Sequence, residues 1–523
     1  MDKNLLLALM LTFVTFLAVR SFWSPSATNS NGAGESFVAP ISADEVRPLN
    51  REIDFVDKKV RADAEESVYV ENDVCGYTFS NFGGVLTELT YKSFKGKSGA
   101  SMGAKFGGGL FEKEDGCFLI ALEEKTPFLY KLVSKTEDDL GMNVVFETEA
   151  NGWTIQKNYR IASKGYKVEL DLKFTPKSSG VAPMIPRIFC PGSFVGEVPG
   201  DKLAGFALGI DGKKLNEIQS TDEERKGWKL PGMFGVTDKY FINGLIGSSD
   251  SSFVNRAFMK RSSGHQLAAV LEGKSLEEST EVKLSFYMGP KLVKECEAVD
   301  DRLDGLISLG WFSSLGRLVA IFLDYLFSIL KNYGAAIVVL SLMIRFVFLP
   351  LNLYSRRRMA RYQAFDAKYK HVINGIKTKY RDNQQKQTEE LFALFKQHGV
   401  SPADIMFGFI PMLEGIPFLI AMYGVLGNHL PLYQAPFFGW ITDLSSPDKF
   451  YAIPILMAVA MVWSQKILQP GKKSSGVVAM LLMPAMMLFF FSGMPAGLVL
   501  FFAIMNSTMV LEEYLRIGLF GKA

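Results

Sequence analysis

The chain has 523 residues, 48% of them hydrophobic and 21% charged, with a formal net charge of +3. A mean hydropathy of +0.14 is too apolar for an ordinary soluble protein, and the charged fraction is too high for a chain embedded throughout. What remains is a mixed protein, part soluble domain and part spanning helices, whose charge has to be followed along the chain.

Behind Lys3, residues 5–19 (LLLALMLTFVTFLAV) form an apolar block. RSFWS follows instead of a small-x-small cleavage pattern, and Phe22 and Trp23 suit a membrane interface. Residues 1–23 therefore read as an uncleaved anchor rather than a signal peptide. Residues 24–50, rich in Ser, Asn, Gly, Ala and Pro, read as a flexible linker.

Residues 51–303 change to period two. YKVELDLKF (166–174) alternates strictly, with Tyr166, Val168, Leu170, Leu172 and Phe174 on one face and charged residues on the other. WTIQKNYRI (153–161) precedes it with a similar pattern, and Ser163-Lys164-Gly165 makes the turn. Many short strands with Gly and Pro between them predict a large antiparallel β-sandwich. Cys75, Cys117, Cys190 and Cys296 all fall in it, without CxxC spacing; disulfides and free buried thiols are both open. The four histidines are scattered, and no metal site is expected.

Residues 304–332 return to a helical period. Trp311, Leu315, Leu318, Phe322, Leu326 and Ile329 form one stripe, which predicts an amphipathic helix lying in the interface plane. Five apolar stretches follow, at 333–355, 403–427, 450–468, 477–492 and 497–515, each near the ~20 residues a bilayer core requires. The last two are parted only by SGMPA and must form a tight helical hairpin. With the N-terminal anchor the total is about six spans, with a loop at 428–449 and a short tail at 516–523.

Residues 356–402 carry eleven Lys/Arg against four Asp/Glu, a balance of +7, whereas 428–449 has one Lys and two Asp. The positive-inside rule then puts 356–402 in the cytoplasm, the N-terminus inside and the β domain outside; Arg20 is a mild contrary signal. Helical spacing on both sides of RDNQ, stopped by Gly399 and Pro402, predicts a basic helical hairpin. Its cations include Arg356, Arg357, Arg358, Arg361, Lys368, Lys370, Lys377, Lys379 and Arg381. It is either a solvated loop or a docking surface for anionic lipid, a ribosome or a nascent chain. No specific nucleic acid is expected.

LSLMIRFVFLP (340–350) places Arg345 in the middle of a span, at a cost of ~2.5–3.5 kcal/mol on insertion scales. Ser341 and Asn352 share its helix face. Glu414 lies between Pro411 and Pro417 on the next span, and both charges fall ~15 Å deep at 1.5 Å per residue. Gln465 and Asn506 add polar groups on two further spans. Together these predict a water-accessible cavity open to the cytoplasm. A simple Arg345–Glu414 ion pair locking the bundle is the plainer reading, and it leaves the neutral polar residues unexplained. The methionines of the final hairpin either fill gaps or make an adaptable lining.

Catalytic patterns are nearly absent. Gly99-Ala100-Ser101-Met102-Gly103 matches a nucleophile elbow by letters, inside a glycine-rich loop without the strand-turn-helix setting. No HExxH or phosphate loop occurs. Neither an enzyme nor a cofactor is expected.

Arg345 four residues after a small hydroxyl, QAPFFGWITDLSSPDKFYAIPILM (434–457), QKI (465–467) and MPAGLVLFFAIMN (494–506) together resemble the YidC-type membrane protein insertases. NFGGVLTELTYKSF (81–94), GVTDKYFI (235–242) and YMGPK (287–291) resemble that family's periplasmic domain. The resemblance covers nearly the whole chain. It implies an inner-membrane protein with a five-helix core and a β-supersandwich periplasmic domain, largely dispensable in relatives. It also implies a hydrophilic groove facing the cytoplasm and lipid, with Arg345 as the essential arginine and Ser341 where relatives have threonine. Gln465 and Trp440 match the family pattern. Three departures stand out: Glu414 where some relatives carry glutamine, Phe501 and Phe502 where they carry a Tyr pair, and a short tail. The implied partners are nascent membrane proteins, the Sec translocon and the ribosome. A transporter or channel with a half-membrane polar cavity is the main alternative, although no internal repeat is visible.

Overall fold

The computed structural model describes the strand pair position 40–41 and residues 64–520, apart from 96–100, 107–115, 123–125, 127–128, 140, 193–202, 209–213, 219–226, 229–231, 251, 262–266, 308–312, 382, 401–414 and 469–476. The chain divides into two compact units, one ending at Ile307 and the other beginning at Ser308. The N-terminal anchor lies outside the described residues.

The first unit is three antiparallel sheets. Nine strands run in the spatial order Lys131–Asp138, Gly141–Ala150, Trp153–Ala162, Lys167–Pro176, Thr280–Pro290, Phe241–Ser248, Met233–Thr237, Ala204–Leu208 and Lys214–Ile218. A six-stranded sheet is built around Val254–Arg261, Leu267–Gly273 and Arg187–Pro191, and a four-stranded one around Cys75–Ser80 and Val85–Lys95. The alternation read in the sequence is the observed one: Val168, Leu170, Leu172 and Phe174 are fully buried, and Lys167, Glu169 and Asp171 are only partly covered. Their ladder to Trp153–Ala162 is in register throughout, Val168 opposite Ile161 and Pro176 opposite Trp153. Phe82, Val85, Leu119, Ala121, Phe189, Phe258 and Val270 form one core cluster from the four- and six-stranded sheets, as a sandwich requires. All four cysteines are free and buried, which resolves the open disulfide question.

One inward position breaks the apolar rule. Trp153, Ile155, Tyr159 and Ile161 point into the core, and so does Lys157, which is 0% exposed. Its ammonium donates to the carbonyls of Gly83 (2.7 Å), Phe118 (2.8 Å) and Gly84 (3.2 Å) and lies 4.7 Å from the Tyr130 ring centre. Gly83 and Gly84 sit at φ +75° and +54°, and Tyr130 leaves no room for a larger residue at Gly84. The lysine thus pins a glycine turn that has no ladder partners of its own. Burial holds its pKa well below the ordinary lysine value.

The second unit is helical: α1 precedes it at Val293–Val299, and within it lie α2 Ser313–Leu330, α3 Tyr333–Lys379, α4 Gln384–Gln397, α5 Gly415–Asn428, α6 Ala452–Leu468, α7 Val477–Phe491 and α8 Ala496–Phe520. α8 packs on α3, α5 and α6, and α2 packs on α3 and α5. Gly497 permits the close approach: a Cβ there would lie 2.9 Å from Leu426 and 3.2 Å from Ile337. The chain turns between α7 and α8, from Phe491 to Ala496, where the ring of Phe491 lies 4.9 Å from that of Phe502. Carbonyls of Ser446 and Leu444 accept from the N–H groups of Ala496 and Gly497, at 2.8 and 2.9 Å, so the 428–449 loop caps α8.

Two boundaries differ from the sequence reading. The span drawn to 355 and the first arm of the basic hairpin are one 47-residue helix, α3, because nothing after Pro350 interrupts it; only Tyr369 departs from helical geometry. On α2 the buried stripe is Val319, Ala320, Leu323 and Leu326, whereas Leu318 (60%) and Ile329 (62%) are exposed. α2 is apolar on most sides, so spacing alone could not choose the packing face, and small residues won it. Among the described residues one helix, α3, is long and apolar enough to cross a membrane; Pro417–Asn428, Ala452–Lys466, Leu481–Phe491 and Ala496–Glu512 are shorter apolar helices.

Candidate functional site

Five of the polar residues buried inside the helical unit lie on α3 and α8, and His429, Asp448 and Ser464 lie elsewhere in it. Ser341, Asn352 and Ser355 are 0% exposed, Arg345 is 4% and Glu512 is 3%. On α3 they recur at positions i, i+4, i+11 and i+14, one face of a 3.6-residue helix. Arg345 extends to α8, where Nε and Nη2 donate to the carbonyl of Met505 at 3.2 and 2.7 Å. That carbonyl also accepts from Thr508 Oγ1 at 2.9 Å, so helical geometry alone does not use up its lone pairs. Nη1 lies 3.5 Å from Glu512 Oε1.

Two of the neutral polar groups bond to their own helices. Ser341 Oγ donates to Ile337 O at 2.7 Å, and Asn506 Nδ2 to Phe502 O at 2.8 Å. Gln465 on α6 and Asn506 on α8 are both half-buried. Arg345 thus lies on a polar face of α3 and is 4% exposed. α8 closes over it, since a guanidinium in apolar surroundings folds onto the nearest carbonyl and carboxylate.

Three further residues assigned to the groove make contacts of their own. Phe501 is 0% exposed and serves the packing of α8, while Phe502 is partly covered and lies 4.9 Å from the Phe491 ring. Trp440, 44% exposed, donates to Asp448 at 3.0 Å and meets Phe450 edge-on at 6.2 Å. Its loop adjoins the start of α3, where Asn332 donates to Phe437 O at 3.0 Å. Arg345 is thirteen residues beyond Asn332, ~20 Å at the helical rise, so Trp440 stands well apart from it. Glu414 lies outside the described residues.

Glu512 was missed in the sequence. Its signal is spacing: Leu498, Phe501, Met505 and Glu512 follow a heptad-like stripe, all four buried, and the carboxylate continues an apolar seam. The basic hairpin has its own small core, in which Phe365, Ile373 and Phe395 are buried among Tyr362, Tyr369, Leu391, Leu394 and Val400. His398 stacks on Tyr369 at 4.2 Å, and the guanidinium of Arg358 lies 4.8 Å from the Tyr354 ring centre. Arg357 and Arg381 are exposed along these arms. No group of three or more His, Cys, Asp or Glu suited to a metal occurs among the described residues.

Two family models match this chain. The 60Kd inner membrane protein model takes residues 325–519, and the YidC periplasmic domain model takes residues 119–322. The membrane protein insertase YidC of Geotalea daltonii is 26% identical over 98% of both chains, and that of Pelobacter propionicus 24% identical over 99% of both. A crystal structure of an active YidC insertase with its first transmembrane domain resolved covers 87% of this chain and 93% of its own, at 17% identity and a TM-score of 0.37. That likeness is too weak to argue from, and the assignment rests on the sequence matches. They run in order through both units, and the chain belongs to the YidC family of inner-membrane protein insertases.

Proposed function

We propose that this chain inserts nascent proteins into the inner membrane by letting their polar segments pass along the α3–α8 face. The observation that carries the reading is the buried polar row Ser341, Arg345, Asn352, Ser355 and Glu512, which includes a buried arginine inside the apolar run 340–350 of α3. An outward-going tail must cross hydrocarbon, where each unsatisfied polar group costs several kcal/mol. A polar seam reached by parting α8 from α3 shortens that crossing, and Arg345 offers acidic tails a partner in a low-dielectric setting. Release into lipid is driven by burial of the substrate's own apolar span. No nucleotide enters the scheme.

The proposed topology has the basic hairpin and both termini in the cytoplasm, the β unit in the periplasm, and six spans counting the anchor. The hairpin's cations then face anionic lipid, the ribosome or the Sec translocon. A channel would need polar residues through both leaflets, and the relatives named above give that alternative no support. The test is insertion of a single-span substrate with an acidic tail into vesicles carrying the full-length chain. Arg345→Ala is expected to abolish it while the protein still assembles, and Arg345→Lys to retain it if charge alone matters. Normal insertion by the alanine variant overturns the role of this face.

A further inference from the structure

Arg345 meets two groups of α8 at different distances. Two of its nitrogens hold the Met505 carbonyl, the nearer at 2.7 Å, whereas the third faces Glu512 at 3.5 Å, beyond the 2.7–2.9 Å of a good charge-assisted hydrogen bond. The carbonyl belongs to the backbone and stays with α8. The carboxylate sits on a flexible side chain two turns further on, eight residues before the end of the described helix at Phe520. Both charges are 4% exposed. A buried ion pair does little for stability against apolar packing of the same volume, so stability is a weak reason for Glu512 to be there.

We propose that Glu512 is a resident competitor: it occupies Arg345 until an acidic residue of the incoming chain takes its place. The inference rests on the proposed function, because it assigns the chemistry that selects substrates at that face. The Met505 carbonyl keeps the guanidinium seated while carboxylates exchange on Nη1. A neutral segment gains nothing that displaces Glu512, so the pair sets a threshold that only acidic segments cross. It also leaves no uncompensated charge on the face between substrates. Glu512 thereby acts as a positioning and specificity-determining residue.

The experiment uses the full-length chain in vesicles, a photo-crosslinker at position 341, and stalled nascent chains differing only in two tail residues, Asp or Asn. The reading is the ratio of acidic to neutral capture. Glu512→Gln is expected to raise that ratio about tenfold, and Glu512→Asp, which withdraws the charge by one methylene, to give an intermediate rise. An unchanged ratio, or an equal loss of both substrates, overturns the competition and leaves Glu512 as bundle packing. Should Glu512→Gln fail to fold, the Glu512→Asp ratio decides alone, and a value equal to the unsubstituted chain overturns the proposal. Failure here is separable from failure of the function. Loss of acidic-tail insertion in Arg345→Ala with no change in ratio for Glu512→Gln removes only the competitor.

Discussion

Replacing Lys157 with methionine isolates what one buried ammonium does for the β unit. The substitution keeps most of the volume and removes the donor to Gly83 O, Gly84 O and Phe118 O. Gly84 O keeps the Tyr159 hydroxyl at 2.6 Å, so two carbonyls depend on the lysine. Each buried acceptor left unmade costs about 1–3 kcal/mol. Relief from burying a charge offsets part of this, because an isolated ion carries a penalty of several kcal/mol. The net expectation is a loss of about 3 kcal/mol, against a total of roughly 5–15 for a domain. Urea unfolding of the full-length chain, followed by tryptophan emission, should show the first transition moving down by roughly 1–2 M. The pH dependence has a definite sign. Burial lowers the folded pKa of Lys157, so its contribution is complete above the ordinary value of 10.5 and is lost as pH falls through the folded value. Lys157→Met should abolish that component. An unshifted midpoint with an unchanged alkaline limb would refute the idea that the lysine pins the glycine turn.

Two further outcomes test the same unit. The thiols of Cys75 and Cys296, pushed up by burial to about 12 and about 11, and the still more deeply buried Cys117 and Cys190 should not react with a maleimide at pH 8. All four should label once urea opens the sheets, and rapid labelling of the folded chain would contradict the burial. Glu272 accepts from Arg187 Nε at 2.8 Å and Arg256 Nη2 at 2.9 Å, with all three side chains at most 12% exposed. Glu272→Ala removes the carboxylate two guanidinium groups share and should cost about 3–5 kcal/mol. Thermal melting checks it, and a change below 1 kcal/mol would show that the pairing is incidental.

How legible the fold was depended on whether one periodicity had one explanation. Residues 166–174 alternate charged and apolar without exception, and a half-buried strand is the one element that uses such a pattern. Lys157 broke the same pattern nine residues earlier. Its parity with Trp153, Ile155, Tyr159 and Ile161 puts it on the inward face, but what satisfies it there comes from residues 83, 84 and 118, far away in the chain. α2 failed for the opposite reason: with apolar residues on most of its circumference, the hydrophobic stripe was not unique, and the small side chain of Ala320 decided which side its neighbours could approach. The continuous α3 was missed because a change of solvent from lipid to water was read as a change of element. Backbone hydrogen bonding has no reason to stop at that boundary.

At the candidate site, the cation was legible and its partner was not. Arg345 stands out because an apolar run contains one permanent charge, and that contrast needs no structure. Glu512 lies near the end of the 497–515 stretch, beside Glu513 and before Arg516, where a charge reads as the approach to the tail rather than as a buried partner. Side chains on a helix lean toward its N-terminus, so the carboxylate reaches back by part of a turn and meets a guanidinium set deeper. Depth estimated from Cα positions therefore misplaces long charged side chains on both helices, and in the same direction, because α3 and α8 run parallel, with Ile337 beside Gly497 and Arg345 beside Met505. Ser341 and Asn506 show the converse limit, since their spacing marked a polar face correctly while each spends a hydrogen bond on its own helix. Arg345 and Glu512 are long enough to approach each other across the seam, Nη1 to Oε1 at 3.5 Å, and they are the pair whose separation would open it.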